Sequence, residues 1–594
     1  MKTHRPQLAR LSRPSLCAIA AAVLTACGGG HDDSGNTPDV PSSEVLKSAC
    51  PTLSGQTIAA STIGLPSGNA TVTSATFIAA APQAVNGATT TPAMPDYCKV
   101  LGTIAPVDPA AQLINFQVNL PTTWNRKAVQ YGGGGYNGTL VTGLAPLRDA
   151  APDDVHPLTR GYVTLGTDSG HQASAFAANA IGQFALNDEM LANYGYASYK
   201  KVKDVSVGLM QSFYKTGPSK MYYFGGSEGG REGLTMAQRF PNDYDGIVSV
   251  VPVVQLSMLF ASYIPHQAPQ FNGGWLNPAK VRTLAKFVSD SCDSLDNLAD
   301  GVINNYLACP SRVNLQALRC VGGIDTGDTC LSDAQIATVT AVHTPHDYPF
   351  ALANGLTSYP QWLYGNESSP DALNGVSTVG GLPLTTMTRW VTGTAAPTAA
   401  VNATTDAQQW LYGANFVRYF ITKDPSFDPL TYDPTKYQAR VQAVSEIIDS
   451  SNPDLTAFFA RGGKLILREN MGDLAQSPLA GINYFNAVAA KVGASAVEQS
   501  ARLYISPASN HTGTATSVTD GSPVPTMVDL LDPLDRWASA GQAPADSLVQ
   551  TVKATTPPFA LQASRPMCRY PNYPRYVGGD VKQASSYTCA TSQF

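Results

Sequence analysis

The sequence predicts an α/β protein whose sheet is interrupted by a large insertion. Three observations carry this: short β-favouring runs recur at βα spacing early in the chain, a long stretch without regular alternation follows, and the same rhythm then resumes. The 594 residues exceed the size at which one hydrophobic core stops growing, so a second core or a large insertion is expected. A 43% hydrophobic and 14% charged composition is globular, and a formal net charge of −5 at low charge density excludes a polyanion-binding surface. Nucleic acid is not an expected partner.

The first element is an export signal. Lys2, Arg5, Arg10 and Arg13 precede the apolar run Leu16 to Leu24, which is too short to cross a bilayer. It ends in Leu24-Thr25-Ala26-Cys27-Gly28, which resembles the lipobox of bacterial lipoprotein signals. The expectation is a lipoprotein-type signal over 1–27 and membrane attachment through a lipidated Cys27, giving an outer-membrane, periplasmic or extracellular protein. Ordinary cleavage nearby and a soluble product is the alternative. Residues 28–46, rich in glycine, proline and serine, read as a flexible tether. Export places Cys50, Cys98, Cys292, Cys309, Cys320, Cys330, Cys568 and Cys589 in an oxidising compartment, where disulfides are the default. Eight cysteines allow 105 pairings and none stands in Cys-x-x-Cys, so spacing neither pairs them nor suggests zinc.

The first part of the core, 47–253, carries strand signals at Asn115 to Leu120, Lys127 to Tyr131, Gly161 to Gly166, Met221 to Phe224 and Gly246 to Val251. The fourth runs into Gly225-Gly226-Ser227-Glu228-Gly229 and then an apolar helical face, Leu234, Met236, Ala237 and Phe240, stopped at Pro241. A strand turning through Gly-x-Ser-x-Gly into a helix exposes the serine hydroxyl on strained backbone, with the helix N-terminus behind it. Ser227 is therefore the candidate nucleophile, and the Glu228 N–H a candidate oxyanion donor. A surface serine in a glycine-rich connection is the bland alternative. A second glycine run, Gly132 to Gly135, follows the strand at Lys127 to Tyr131, where such folds place another oxyanion donor. Gly133 is the expected donor and Gly132 its competing neighbour; without a following Gly-Lys-Ser/Thr, the run is not a nucleotide loop.

Residues 254–450 lose the rhythm and hold Trp275, Trp362, Trp390 and Trp410, which reads as an inserted lid. The second part of the core, 451–594, resumes with Gly463 to Leu467 and Arg502 to Ile505. The expected architecture is an α/β-hydrolase fold with a large inserted lid domain, whose chain order is nucleophile, acid, base. Of the histidines after Ser227, only His511 lies outside the lid, just past a strand. Asp473 follows the preceding strand and is the expected acid; Glu469, nearer the strand end, competes. In the lid, Asp293, Asp296 and Asp300 crowd one loop. Their charge alone reads as a solvated acidic loop, although the carbonyls of Leu298 and Val302 could complete an oxygen shell for calcium.

Gly-Ser-Glu-Gly-Gly-Arg-Glu-Gly over Gly226 to Gly233, Arg239-Phe240-Pro241, Tyr244 to Val248, Thr167 to His171, Cys292-Asp293 through Gly301, Gly462 to Leu467 and Asn510-His511 together resemble the tannase and feruloyl esterase family across essentially the whole mature chain. The resemblance implies a serine carboxylic-ester hydrolase working through an acyl-enzyme, with Ser227, Asp473 and His511 as its triad. It implies a structural calcium held by Asp293, Asp296, Leu298, Asp300 and Val302, reversing the bland reading of that loop, and no organic cofactor. It pairs Cys50 with Cys98, Cys292 with Cys309, Cys320 with Cys330 and Cys568 with Cys589. Relatives carry a further disulfide joining the nucleophile turn to the base loop; here those positions are Gly226 and Thr512, and a looser base loop is expected. Trp362, Trp390, Arg389 and Gln476 fall where substrate contacts are expected. Arg389 aligns poorly with the arginine that binds a terephthalate half-ester, and Gln476 replaces a phenylalanine. Esters of hydroxycinnamic or gallic acids are therefore the expected substrates of a monomeric enzyme, with half-esters of the mono(2-hydroxyethyl) terephthalate type the alternative. A catalytically silent lipoprotein that captures aromatic ligands is the rival from another class.

Overall fold

The expected βα runs form the centre of a twelve-stranded sheet. In the computed structural model, which describes residues 40–87, 89–371, 377–379 and 382–592, these strands are β1 (Thr57–Ile58), β2 (Ala70–Ile78), β3 (Tyr97–Ile104), β4 (Ile114–Pro121), β5 (Lys127–Tyr131), β6 (Val163–Thr167), β7 (Lys220–Gly226), β8 (Gly246–Val250), β9 (Lys464–Asn470), β10 (Ala501–Ser506), β11 (Ser547–Lys553) and β12 (Leu561–Arg569). They lie in the order β1-β2-β3-β4-β6-β5-β7-β8-β9-β10-β12-β11. From β6 to β10 every neighbouring pair is parallel. These strands are buried along nearly their whole length, as parallel strands must be when helices cover both faces of a sheet.

Both flanks differ from the βα reading. The run at 115–120 belongs to β4, which is antiparallel to both β3 and β6. Its short connection from β3 has no room for a crossover helix, so only antiparallel pairing is open to it. Strands β1 to β3 and the hairpin of β11 with β12 complete the two edges.

Between β8 and β9 no described residue joins the main sheet. This stretch forms helices at Leu256–Gln267, Pro278–Cys292, Asp333–Val342, Gln408–Asn415 and Gln438–Ile448, with short two-stranded ladders. Its aromatic core, with Phe260, Trp362, Trp410 and Phe420, is continuous with Phe184 and Tyr194 before it and with Leu474, Ala475 and Ala480 after it.

Cys27 and most of the expected tether lie outside the described residues. The end of that tether is not flexible: Ser43–Ala49 is helical, with Leu46 fully buried in the main core. One apolar residue at the right helical position, followed by a disulfide, is enough to dock the segment. The bridges are Cys50–Cys98, Cys292–Cys309, Cys320–Cys330 and Cys568–Cys589, with Cα separations of 5.6, 5.2, 4.9 and 5.7 Å. Four disulfides mark a chain that folds outside the reducing cytosol. No helix among the described residues is long and apolar enough to cross a membrane.

Candidate active site

Four loops converge at the C-terminal ends of the parallel strands, where open α/β sheets place their sites. Ser227 follows β7 at φ 60° and ψ −123°, a conformation that costs a non-glycine residue about 1–3 kcal/mol. Its N–H donates to Val250 O at 2.9 Å, and its carbonyl accepts from Arg231 N–H at 3.1 Å. The helix Glu228–Arg239 then starts within one residue of the strand. That closeness needs glycine, because a Cβ on Gly225 would meet the backbone of Gly229, and one on Gly229 the backbone of Gly132 and Gly133.

His511, from the loop after β10, lies with Nε2 2.8 Å from Ser227 Oγ and Nδ1 2.6 Å from Asp473 Oδ2. Asp473 follows β9 and is 1% exposed. Its Oδ1 accepts from the N–H groups of Ala475 at 2.7 Å and Gln476 at 3.1 Å, which fixes the carboxylate and leaves Oδ2 for the imidazole. Glu469, the competing acid, faces away and accepts from Gln476 Nε2 at 2.9 Å. Burial, with Asp473 beside it, pushes the Glu469 carboxyl well above the usual range. Its neighbour Asn470 donates through Nδ2 to Asn510 O at 2.8 Å, steadying the loop that carries His511.

As the first residue of its helix, Glu228 has an N–H without an intrahelical acceptor, beside Ser227. Its buried carboxylate is held by Arg231, whose Nε lies 2.9 Å from both Oε1 and Oε2. The other expected donor is corrected: Gly133 N–H donates to Glu232 Oε2 at 3.1 Å. Glu232 also accepts from Tyr223 Oη at 2.5 Å and Asn137 Nδ2 at 2.7 Å, so it pins the glycine loop against the helix.

Beside the triad lies a cavity of about 220 Å³. Leu256, Leu259, Phe260, Tyr263, Trp390 and Tyr412 give it an apolar wall, and Arg148, Arg389, Ser227, Glu228 and His511 supply the polar groups. The Trp390 ring stands edge-on to His511, with centroids 5.1 Å apart. Arg389 Nη1 donates to Asp371 Oδ1 at 2.7 Å. Two expected substrate contacts are corrected. Trp362 is 1% exposed and packs against His266 and Tyr359, off the cavity. Gln476 is fully buried and off the cavity, with its amide nitrogen donating to Glu469 and Asp473. The missing cysteine at Gly226 leaves no gap, since Arg148 lies over that glycine. Sequence reasoning missed Arg148 and Tyr412 because neither stands in a motif; only the absent side chain at 226 hinted that something else fills the space.

Asp293, Asp296 and Asp300 lie in one turn, the first two buried and Asp300 half-buried. Asp293 accepts from the N–H groups of Gly301 at 2.8 Å and Val302 at 3.1 Å, and Asp300 Oδ2 pairs with Arg565 Nη2 at 2.7 Å. Burial pushes Asp296 up to about 7. Asp300 Oδ1 is buried without a hydrogen-bond partner. Three carboxylates against one arginine suit a hard cation, although among the described residues no three acidic, histidine or cysteine side chains converge on one point.

Residues 98–590 match the tannase and feruloyl esterase family. The chain belongs to that family. It is 37% identical to an uncharacterized esterase of Agrobacterium fabrum over 91% of this chain and 93% of that one. It is 30% identical to the mono(2-hydroxyethyl) terephthalate hydrolase of Piscinibacter sakaiensis over 84% and 85% of the two chains. An esterase from Aspergillus oryzae, 19% identical, shares the fold with a TM-score of 0.70 over 92% of this chain and all of that one. The chain is thus a carboxylic-ester hydrolase of α/β-hydrolase fold.

Proposed function

We propose that the protein hydrolyses esters of single-ring aromatic acids through an acyl-enzyme. The Ser227–His511–Asp473 hydrogen-bonded chain carries the reading. His511 Nε2 would take the Ser227 proton as Oγ attacks the ester carbonyl. Asp473 would hold Nδ1–H and stabilise the imidazolium, and the Glu228 N–H would donate to the oxyanion. Protonated His511 would then give its proton to the leaving alkoxide, and water activated by the same imidazole would release the acid. An apolar cavity of about 220 Å³ suits one aromatic ring with short substituents, since a site of about 150 Å³ already holds benzene. Trp390 and Phe260 would pack on that ring.

Ferulate- and gallate-type esters are the first substrates to test. Half-esters of terephthalate are the second reading, favoured by Arg389 on the cavity wall and by the hydrolase relative, although Arg389 already has Asp371 as a partner. A panel of methyl ferulate, methyl gallate and mono(2-hydroxyethyl) terephthalate ranks them by kcat/KM. Ser227→Ala abolishes turnover of all three if the enzyme reading holds; undiminished turnover in that variant would sink the Ser227 mechanism, and no turnover by the wild-type protein would favour the ligand-capture rival.

The acidic loop of Asp293, Asp296 and Asp300, with the carbonyls of Leu298 and Val302, is proposed to hold a structural calcium, supported by the unpartnered Asp300 Oδ1. Chelation should lower the melting temperature and added calcium restore it. Lipidation at Cys27, a monomeric state and an outer-membrane location complete the proposal; mass spectrometry of the mature N-terminus tests the first.

A further inference from the structure

The Ser227–His511 hydrogen bond joins two loops that share no backbone hydrogen bond at those two residues: the turn after β7 and the loop after β10. Arg148 touches both. It comes from the connection between β5 and β6, and its side chain is 23% exposed. Its Nη2 donates to the carbonyl of His511. Its Cδ, Nε and Nη1 fill the space where a Cβ on Gly226 would stand. One guanidinium thus rests on the backbone just before the nucleophile while holding the backbone of the base.

The neighbouring residue secures this arrangement. Asp149 has φ 62°, and its Oδ2 lies 3.9 Å from Arg148 Nε and 3.1 Å from Nη1 of the fully buried Arg468 on β9. Its Oδ1 fills the space beside Gly513, two residues after His511, and its carbonyl accepts from Val528 N–H at 2.8 Å. The Asp149 carboxylate thus lies between the guanidiniums of Arg148 and Arg468 on the side of the base loop, where it favours the inward position of Arg148.

We propose that Arg148 is a positioning residue that clamps the base loop to the nucleophile turn by holding the His511 carbonyl, and that Gly226 lacks a side chain to make room for it. The inference rests on the triad reading given above. It also alters the expectation of a looser base loop, because the covalent brace of the relatives is replaced by a charged hydrogen bond.

A small displacement of a base costs far more rate than binding: about 1 Å can cost 10²-fold. With a neutral chromogenic ester, Arg148→Ala should lower kcat about 10- to 100-fold with KM changed less than about threefold, and Arg148→Lys should recover part of the loss. Gly226→Ala should lower kcat similarly by displacing the guanidinium. In Arg148→Ala/Gly226→Ala the three atoms nearest the added methyl, all of Arg148, are gone, so the double variant should be no slower than Arg148→Ala alone. Unchanged kcat in Arg148→Ala, losses that multiply in the double variant, or an effect confined to KM would each overturn the proposal, the last by making Arg148 a substrate contact. Should Arg148→Ala not fold, Gly226→Ala and Arg148→Lys carry the test. Ser227→Ala separates the two readings: if it keeps turnover, the triad itself is refuted, whereas an inactive Ser227→Ala beside an unimpaired Arg148→Ala refutes only the clamp.

Discussion

Two carboxyls stand four residues apart, Glu469 near the end of β9 and Asp473 just past it, and their surroundings divide their roles. Asp473 has two backbone donors on one oxygen and the imidazole on the other. Glu469 has one amide donor and a desolvated site, with its carboxyl pushed well above the usual range. Asp473→Asn should therefore lower kcat about 10⁴-fold by favouring the wrong histidine tautomer, with the fold intact by circular dichroism. Glu469→Gln should leave kcat near wild type. It should also change the pH dependence of stability. A carboxyl whose folded pKa is raised binds more protons folded than unfolded, so its contribution is whole below the unfolded value of 4.5 and declines as pH rises above it. Urea titrations of Glu469→Gln should show that decline flattened. The triad residues were legible because chain order constrains them. Trp362, Gln476 and the engaged Gly133 amide were not, because which way a side chain or N–H faces is decided by partners remote in sequence.

At the scale of elements, the helix behind Ser227 is anchored at its first turn. Arg231 is fully buried; it pairs with Glu228 and donates through Nη1 to Gly195 O at 2.9 Å and Ile448 O at 3.0 Å, and through Nη2 to Tyr194 O at 3.1 Å. Removing one member of such a buried pair strands the other, so Arg231→Met should cost about 3–5 kcal/mol by denaturant unfolding. The central strands were readable from their apolar runs and glycine-rich ends. The edge strands were not: β1 has two residues, β11 is mostly exposed or half-exposed, and both pair antiparallel, so neither carries the continuous apolar run that marks the central strands; in Ser43–Ala49 only Leu46 is buried, too little to mark the helix.

At the scale of the molecule, the four disulfides tie local features: Cys50–Cys98 fixes the N-terminal helix to β3, and Cys568–Cys589 ties β12 to the last strand. Reduction should lower the melting temperature, because a disulfide typically contributes about 2–4 kcal/mol by restricting the unfolded chain. The interruption of the sheet between β8 and β9 was legible as a break in rhythm, and its helices were not, since their apolar faces answer to one another. The core of this stretch continues into Leu474 and Ala475, the two residues after Asp473. The roof of the cavity and the seat of the proposed acid should therefore melt as one cooperative unit, not as a flap swinging on a hinge. Thermal loss of near-ultraviolet ellipticity and loss of turnover should then fall on a single curve, with no open-roofed, still-active species between native and unfolded chains.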